Sequence, residues 1–332
     1  MTMKKYIIPF LFLAPMMLQA QDFHLSQYDA SHLYINPAAT GMYNGQKNDY
    51  RIFSDYRSQW RALGIKPYTT AYISYDMPIQ KYEGKVGAGG YMLSNSSVQG
   101  QFRTIQAAGS VAYNVISGSP DHYLTTGLQM GLLYRSIDYN SYTFDVQYNS
   151  ATGDFDQSAS NQENFSQNSF VRFDAALGVW YKYISQSSKY HPFAGFSVYH
   201  LTKPNESFTG TKSRMPMRFV FNTGCDIKIN DDFSVTPKFL YMNQAKAYEI
   251  NAGVLLFYKI KNSSLDVMAG ADYRHKDAIV LHIGFRQEQS MFRFSYDINN
   301  SGLNAYTGGK GAWEFSLLLY GKKDQPLFKP LF

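Results

Sequence analysis

From Asp49 onward the chain alternates apolar and polar side chains with a period of two, again and again. Successive residues of a strand point to opposite faces, so each such run reads as a strand with one greasy and one polar side. In 103–115, Ile105, Ala107, Val111 and Tyr113 oppose Thr104, Gln106, Ser110 and Asn114. In 122–135, Leu124, Leu128, Met130, Leu132 and Tyr134 oppose Thr125, Gly127, Gln129 and Gly131. Tyr248, Ile250, Ala252, Val254, Leu256 and Tyr258 form one unbroken apolar face, and Phe292, Phe294 and Tyr296 stand against Arg293, Ser295 and Asp297. Fourteen segments of this kind are predicted, at 49–60, 69–76, 86–94, 103–115, 122–135, 169–183, 191–200, 214–228, 233–244, 247–258, 265–274, 278–286, 291–297 and 312–320. Their length suits tilted membrane strands, which need about 9–11 residues, and their number is even, as in bacterial single-chain barrels. A soluble sandwich alternates too, but turns its apolar positions inward. Here aromatic residues close the ends of several apolar faces, which places lipid outside.

The connections support the same fold. If the first strand starts in the periplasm, that side holds the short links 116–121, 184–190, 229–232, 259–264 and 287–290, and the other side holds 136–168, 201–213 and 298–311. Short periplasmic turns and long surface loops are the outer-membrane pattern. The links near Ala245 and at His275 to Asp277 are short exceptions on the long side. The segment 136–168 is longer than a passive connection usually is; it reads either as a surface lid or partner-binding loop, or as a mobile shield over the mouth. The expected fold is an all-β transmembrane antiparallel barrel of about fourteen strands with an N-terminal plug segment.

Composition narrows the class. The chain has 28 Tyr and 24 Phe against 3 Trp, which fits aromatic girdles around a polar lumen. Lys4 and Lys5 precede an apolar run from Tyr6 to Leu18 and then Leu18-Gln19-Ala20, the layout of a secretory signal peptide cleaved before Gln21. No later apolar run is long enough for a membrane helix, so any crossing must be made by a closed sheet. The single cysteine, Cys225, forms no intrachain disulfide. A net charge of +6 that includes Lys4 and Lys5, without basic runs interleaved with aromatics, argues against nucleic acid as a partner.

The stretch from 21 to 48 is different in kind. It is rich in turn formers, Asn36, Pro37 and Gly41 among them, and does not alternate. It reads as a plug or periplasmic tether ahead of the first strand. That strand carries Arg51, Asp55 and Arg57 on its polar face and ends at Gln59 and Trp60. These charges either hold the plug through hydrogen-bonded ion pairs or are ordinary lumen charges solvated by water. Two Ser-Tyr-Asp triplets, Ser74-Tyr75-Asp76 and Ser295-Tyr296-Asp297, have the parity of a girdle Tyr flanked by lumen Ser and Asp, at opposite rims. Catalytic chemistry finds no support. The seven histidines lie in no recognisable motif, a convergence of Asp272, His275 and Ser290 is the best arrangement on offer, and neither metal spacing nor a cofactor signature occurs. No enzyme, metal or cofactor is expected.

The order SQYDASHLYINPAATG, RIFSDYRSQW, YTTAYISYDMPI at 68–79, VGAGGYMLS at 86–94, HLTKPNESF at 200–208 and RFSYDINNSGL at 293–303 resembles the PorP/SprF family over nearly the whole mature chain. The resemblance implies a non-enzymatic outer-membrane component of the Bacteroidetes type IX secretion system, needed for secretion or surface anchoring of cargo such as gliding adhesins. It implies as partners a cargo C-terminal domain, peptidoglycan-binding and ring components in the periplasm, and outer-membrane lipid. It also implies a fixed conformation around Asn36-Pro37. The competing class is a plugged channel for hydrophobic solutes or nutrients. The domains expected are a signal peptide at 1–20, a plug at 21–48, a barrel at 49–320 and a periplasmic tail at 321–332.

Overall fold

Every one of the fourteen alternating segments is a strand in the computed structural model, which describes residues 22–43 and 49–322 apart from 65, 83, 98–100, 117, 118, 120 and 164. The expected signal peptide, the residues 44–48 and the tail from 323 onward lie outside the described residues. The strands are β1 (Tyr50–Gln59), β2 (Tyr68–Pro78), β3 (Val86–Ser97), β4 (Phe102–Asn114) and β5 (His122–Ile137). A two-stranded hairpin, β6 (Tyr148–Asn149) and β7 (Asp154–Phe155), sits in the longest loop. The wall resumes with β8 (Ser169–Tyr183), β9 (Tyr190–Tyr199), β10 (Arg218–Lys228), β11 (Phe233–Gln244) and β12 (Ala247–Lys259). It ends with β13 (Leu265–Arg274), β14 (Ala278–Gln287), β15 (Ser290–Asn299) and β16 (Lys310–Gly321).

Neighbouring wall strands pair antiparallel in chain order, and β16 closes on β1 with Tyr50 opposite Gly321 and Gln59 opposite Ala312. Closure leaves no strand edge unpaired, which hydrocarbon requires. The alternation sorts as the sequence pattern implies: Ile283 is 62% and Leu132 55% exposed on the outside, while Arg57, Ser295 and Glu314 are buried on the inside.

Several strand ends differ from expectation by one to four residues, and two of the differences have a visible cause. β10 begins at Arg218, not at 214, because Met215 N–H bonds Pro204 C=O and Arg214 bridges Asn205, drawing those residues into the preceding loop. Pro216 also has no N–H to give a ladder. β9 stops at Tyr199, since His200 adopts φ +59° and turns the chain.

The barrel interior holds residues 22–43. Asp22 lies at the long-loop end beside His200 and Gln244, and Gly41 lies at the short-turn end beside Asp76, so the segment runs the height of the lumen. A one-turn helix α1 (His32–Ile35) and a tighter turn at Pro37–Ala39 are its only regular structure. The lumen is not uniformly polar, as the alternation suggested. Leu25, Leu33, Tyr34 and Ile35 pack against inward Phe53, Tyr72, Leu93 and Leu240 in one buried cluster. Burying these side chains removes apolar surface from water, at about 25 cal/mol per Å².

Candidate functional site: the N-terminal segment and its seat

The outer half of the segment is tied by charge. Glu314 of β16 accepts the backbone N–H groups of Ser26 (2.8 Å) and Gln27 (2.7 Å), capping a turn whose donors would otherwise be stranded. Arg57 of β1 donates to Ser26 Oγ (2.6 Å), Asp297 (2.9 Å) and Glu314 (3.1 Å). Arg274 of β13 reaches the same Asp297 carboxylate at 2.6 Å. One step further, Asp29 receives Lys238 (2.7 Å) and Arg293 (2.6 Å).

Asp22 forms a second knot with His200 (2.6 Å) and Arg218 (3.2 Å). Burial works against the Asp22 carboxylate, but His200 and Arg218 hold its pKa well below the usual range. For His200, burial pushes the imidazolium down, and the carboxylates of Asp22 and Asp174 outweigh it, leaving its pKa raised to about 9. Arg218 also donates to Tyr34 Oη at 2.6 Å.

The inner half is seated by shape. Asn36 Oδ1 accepts from Ala38 N–H (2.9 Å), and its Nδ2 donates to Val179 C=O of β8 (2.9 Å) and Phe196 C=O of β9 (3.4 Å). Pro37 starts the turn where its missing N–H is no loss. Wall hydroxyls then take the freed carbonyls: Ser197 bonds Ile35 C=O (2.6 Å) and Thr125 bonds Ala38 C=O (2.7 Å). The chain comes this close because the wall is glycine there. A Cβ on Gly127 would stand 2.3 Å from Ala38 N, and one on Gly178 2.1 Å from Asn36 Oδ1. Gly41 leaves with φ +67° and gives its N–H to Asp76 (2.6 Å), which Arg51 holds with Nε at 2.9 Å and Nη2 at 2.6 Å.

Of the residues singled out from sequence, Asn36, Pro37, Gly41, Arg51, Asp76, Arg57 and Asp297 all touch the segment or belong to it, in two separate groups at the two ends. Asp55 makes no hydrogen bond to the segment and lies buried beside the Glu314 carboxyl. Gln59 and Trp60 stay at the outer rim, where Trp60 meets the Tyr68 ring edge-on at 4.8 Å. Asp272, His275 and Ser290 are not brought together, since Asp272 pairs with Lys238 (2.8 Å) and His282 (3.1 Å).

Glu314, Arg274, Lys238, Arg293, Arg218 and His200 were missed. Each sits on an inward strand position or at a strand end, and inward parity was the available signal. The two longest loops are joined at the outer end: Phe208 accepts from the N–H groups of Ser166 (3.0 Å) and Gln167 (3.2 Å), and Arg135 pairs with Glu206.

A family model described as "Type IX secretion system membrane protein PorP/SprF" matches residues 17–319. No curated protein sequence matches the chain. Among solved structures, the CymD monoaromatic hydrocarbon channel is similar at 12% identity and TM-score 0.51, covering 89% of this chain and 94% of its own. A Pseudomonas aeruginosa FadL homologue matches at 12% identity and TM-score 0.45 over 88% and 94%. The P. putida toluene transporter TodX matches at 12% identity and TM-score 0.45 over 86% and 93%. At 12% identity the CymD likeness speaks for the outer-membrane barrel fold alone.

Proposed function

The chain belongs to the PorP/SprF family of type IX secretion system membrane proteins, and from that premise we propose that it is a non-enzymatic outer-membrane component serving secretion or surface anchoring of large cargo such as gliding adhesins. Export by a signal peptide brings it to the periplasm, and the barrel then stands with its short turns inward and its long loops at the cell surface. The loops grip a cargo C-terminal domain, and the short-turn end docks to peptidoglycan-bound and ring components.

The observation that carries this reading is the bolted segment, which acts as a plug. Arg51 with Asp76 at one end and Arg57 with Asp297 at the other are all nearly fully buried, and they fix residues that span the lumen. A barrel so filled supports a rigid scaffold better than an open diffusion path.

The test is deletion of the gene followed by immunolabelling of adhesin on intact cells. Surface display should be lost and return with the wild-type copy; normal display without the protein overturns the reading. A second reading, a plugged channel for hydrophobic solutes, draws on the fold likeness to the CymD hydrocarbon channel. Solute-selective flux into liposomes carrying the purified barrel would favour it.

A further inference from the structure

We propose that the lipid-facing wall of β2–β5 holds one anionic, phosphate-bearing lipid of the outer leaflet. The proposal rests on the barrel standing in the outer membrane and is independent of the secretion reading.

An apolar trough of about 740 Å³ lies on the outside of this part of the wall. Its floor is made of residues with little or no side chain: Gly90 of β3 stands directly opposite Gly109 of β4, and Ala107 is the next outward position of β4. Taller residues rise on both sides. Tyr75 and Ile73 of β2 pair with Gly90 and Met92, while Met130 and Leu132 of β5 pair with Gly109 and Ala107. Nothing from the chain fills the floor, since a Cβ on Gly109 would have no atom nearer than 3.9 Å. In hydrocarbon such a furrow takes an acyl chain, which recovers dispersion contacts that an empty one forfeits.

The row above the trough selects the lipid. Towards the long loops, the outward positions Thr69, Ser96, Arg103, Ser136 and Ser169 lie opposite one another in register across β2, β3, β4, β5 and β8. Side chains so paired stand about 5 Å apart, so hydroxyls flank one exposed guanidinium and no carboxylate shares the row. A guanidinium binds phosphate through paired N–H donors, and hydroxyls can donate to the remaining oxygens.

The height of the row fits a phosphate. Tyr113 ends the same face of β4 near the short turns, ten residues beyond Arg103. At about 3.4 Å per residue and a tilt of about 40°, Arg103 stands about 26 Å above it, against an apolar band about 25 Å tall. Arg103 is therefore at the outer headgroup level. A chain hanging from a phosphate there runs down the same strand face, over Ala107 and Gly109.

The test is native mass spectrometry of the delipidated mature barrel, titrated with dioleoylphosphatidylglycerol or with dioleoylphosphatidylcholine, which has the same chains without net charge. One phosphatidylglycerol should be retained per barrel, about tenfold more tightly than phosphatidylcholine. Arg103→Gln should remove that preference, and Gly109→Leu, whose side chain enters open space, should weaken retention of both lipids. Lys276→Gln, at an exposed cation in the turn between β13 and β14, should change neither. Equal retention of the two lipids by the unmodified barrel overturns the proposal, as does a Lys276→Gln effect equal to that of Arg103→Gln. So does a second copy of the barrel seated in the trough, seen as a lipid-free dimer that Gly109→Leu splits. Should a variant fail to fold, the unmodified protein still decides. Phosphatidylglycerol carrying a diazirine midway along one chain should label peptides covering 73–75, 90–92 and 107–109, and labelling spread evenly round the barrel overturns the proposal.

Discussion

Between Asp22 and Asp29 the N-terminal segment is held by full charges, whereas between Leu33 and Gly41 it is seated mainly by fit against a glycine-lined wall and by backbone hydrogen bonds. The difference matters because the two kinds of hold fail differently. A buried ionic knot is stable only as a complete set, since removing one partner strands the others in a poorly solvating interior. A close steric fit tolerates loss of a hydrogen bond but no added atom.

The largest expected effect is at the charged half. Arg57→Ala leaves Asp297 and Glu314 short of a partner deep in the barrel, and should lower stability by about 3–5 kcal/mol, read from the temperature at which the folded barrel loses its fast electrophoretic migration. Arg57→Met with Glu314→Gln should recover part of that loss, because one unmatched charge has gone.

Next comes the seated half. Gly127→Ala places a methyl against the Ala38 backbone, 2.3 Å from its nitrogen. The expected penalty is about 1–3 kcal/mol, with new proteolysis confined to residues 33–41. The same substitution at Gly302, where nothing lies within 4 Å, should leave proteolysis of 33–41 unchanged.

A pH effect is expected at the charged half. His200 has a pKa of about 9 in the folded barrel against an ordinary value of 6.5. A raised pKa stabilises most below the ordinary value and loses its contribution as pH climbs through the folded one. The stability gap between wild type and His200→Gln should therefore be full at pH 6 and close as pH rises past about 9. An unchanged gap at pH 10 would show that the imidazolium does not anchor Asp22.

The smallest effect is Thr125→Val, which removes one hydroxyl bond to Ala38 C=O while keeping the shape. It should cost about 1 kcal/mol, measured against Arg57→Ala in the same melting assay.

How much of this could be read from residues alone follows from the same division. The wall was legible because lipid demands apolar side chains at every second position, so β4, β5, β12 and β15 declare themselves in Val111, Leu132, Leu256 and Phe294. Arg51, Arg57, Asp76 and Asp297 were legible as inward charges, but their pairing was not, since Arg57 and Asp297 are 240 residues apart. Nor was the ionic role of His200, whose partner Asp22 lies 178 residues away.

The glycine seat was hidden for another reason. Gly127 and Gly178 carry no side chain to show a face, and only their inward parity in adjacent strands marks the place where another backbone must approach. Phe53 and Tyr72 defeat the simple rule altogether, being apolar and inward, because this lumen packs against protein rather than water.

Native-state amide hydrogen exchange of the barrel in lipid nanodiscs, followed over peptides covering 25–41, tests the central claim most directly. If the segment is bolted at one end and seated at the other, its amides should exchange as slowly as those of β1 and β16, and Arg57→Ala should release 25–29 more than 36–41. Exchange of 25–41 at the rate of an open surface loop in the unmodified protein would contradict the account.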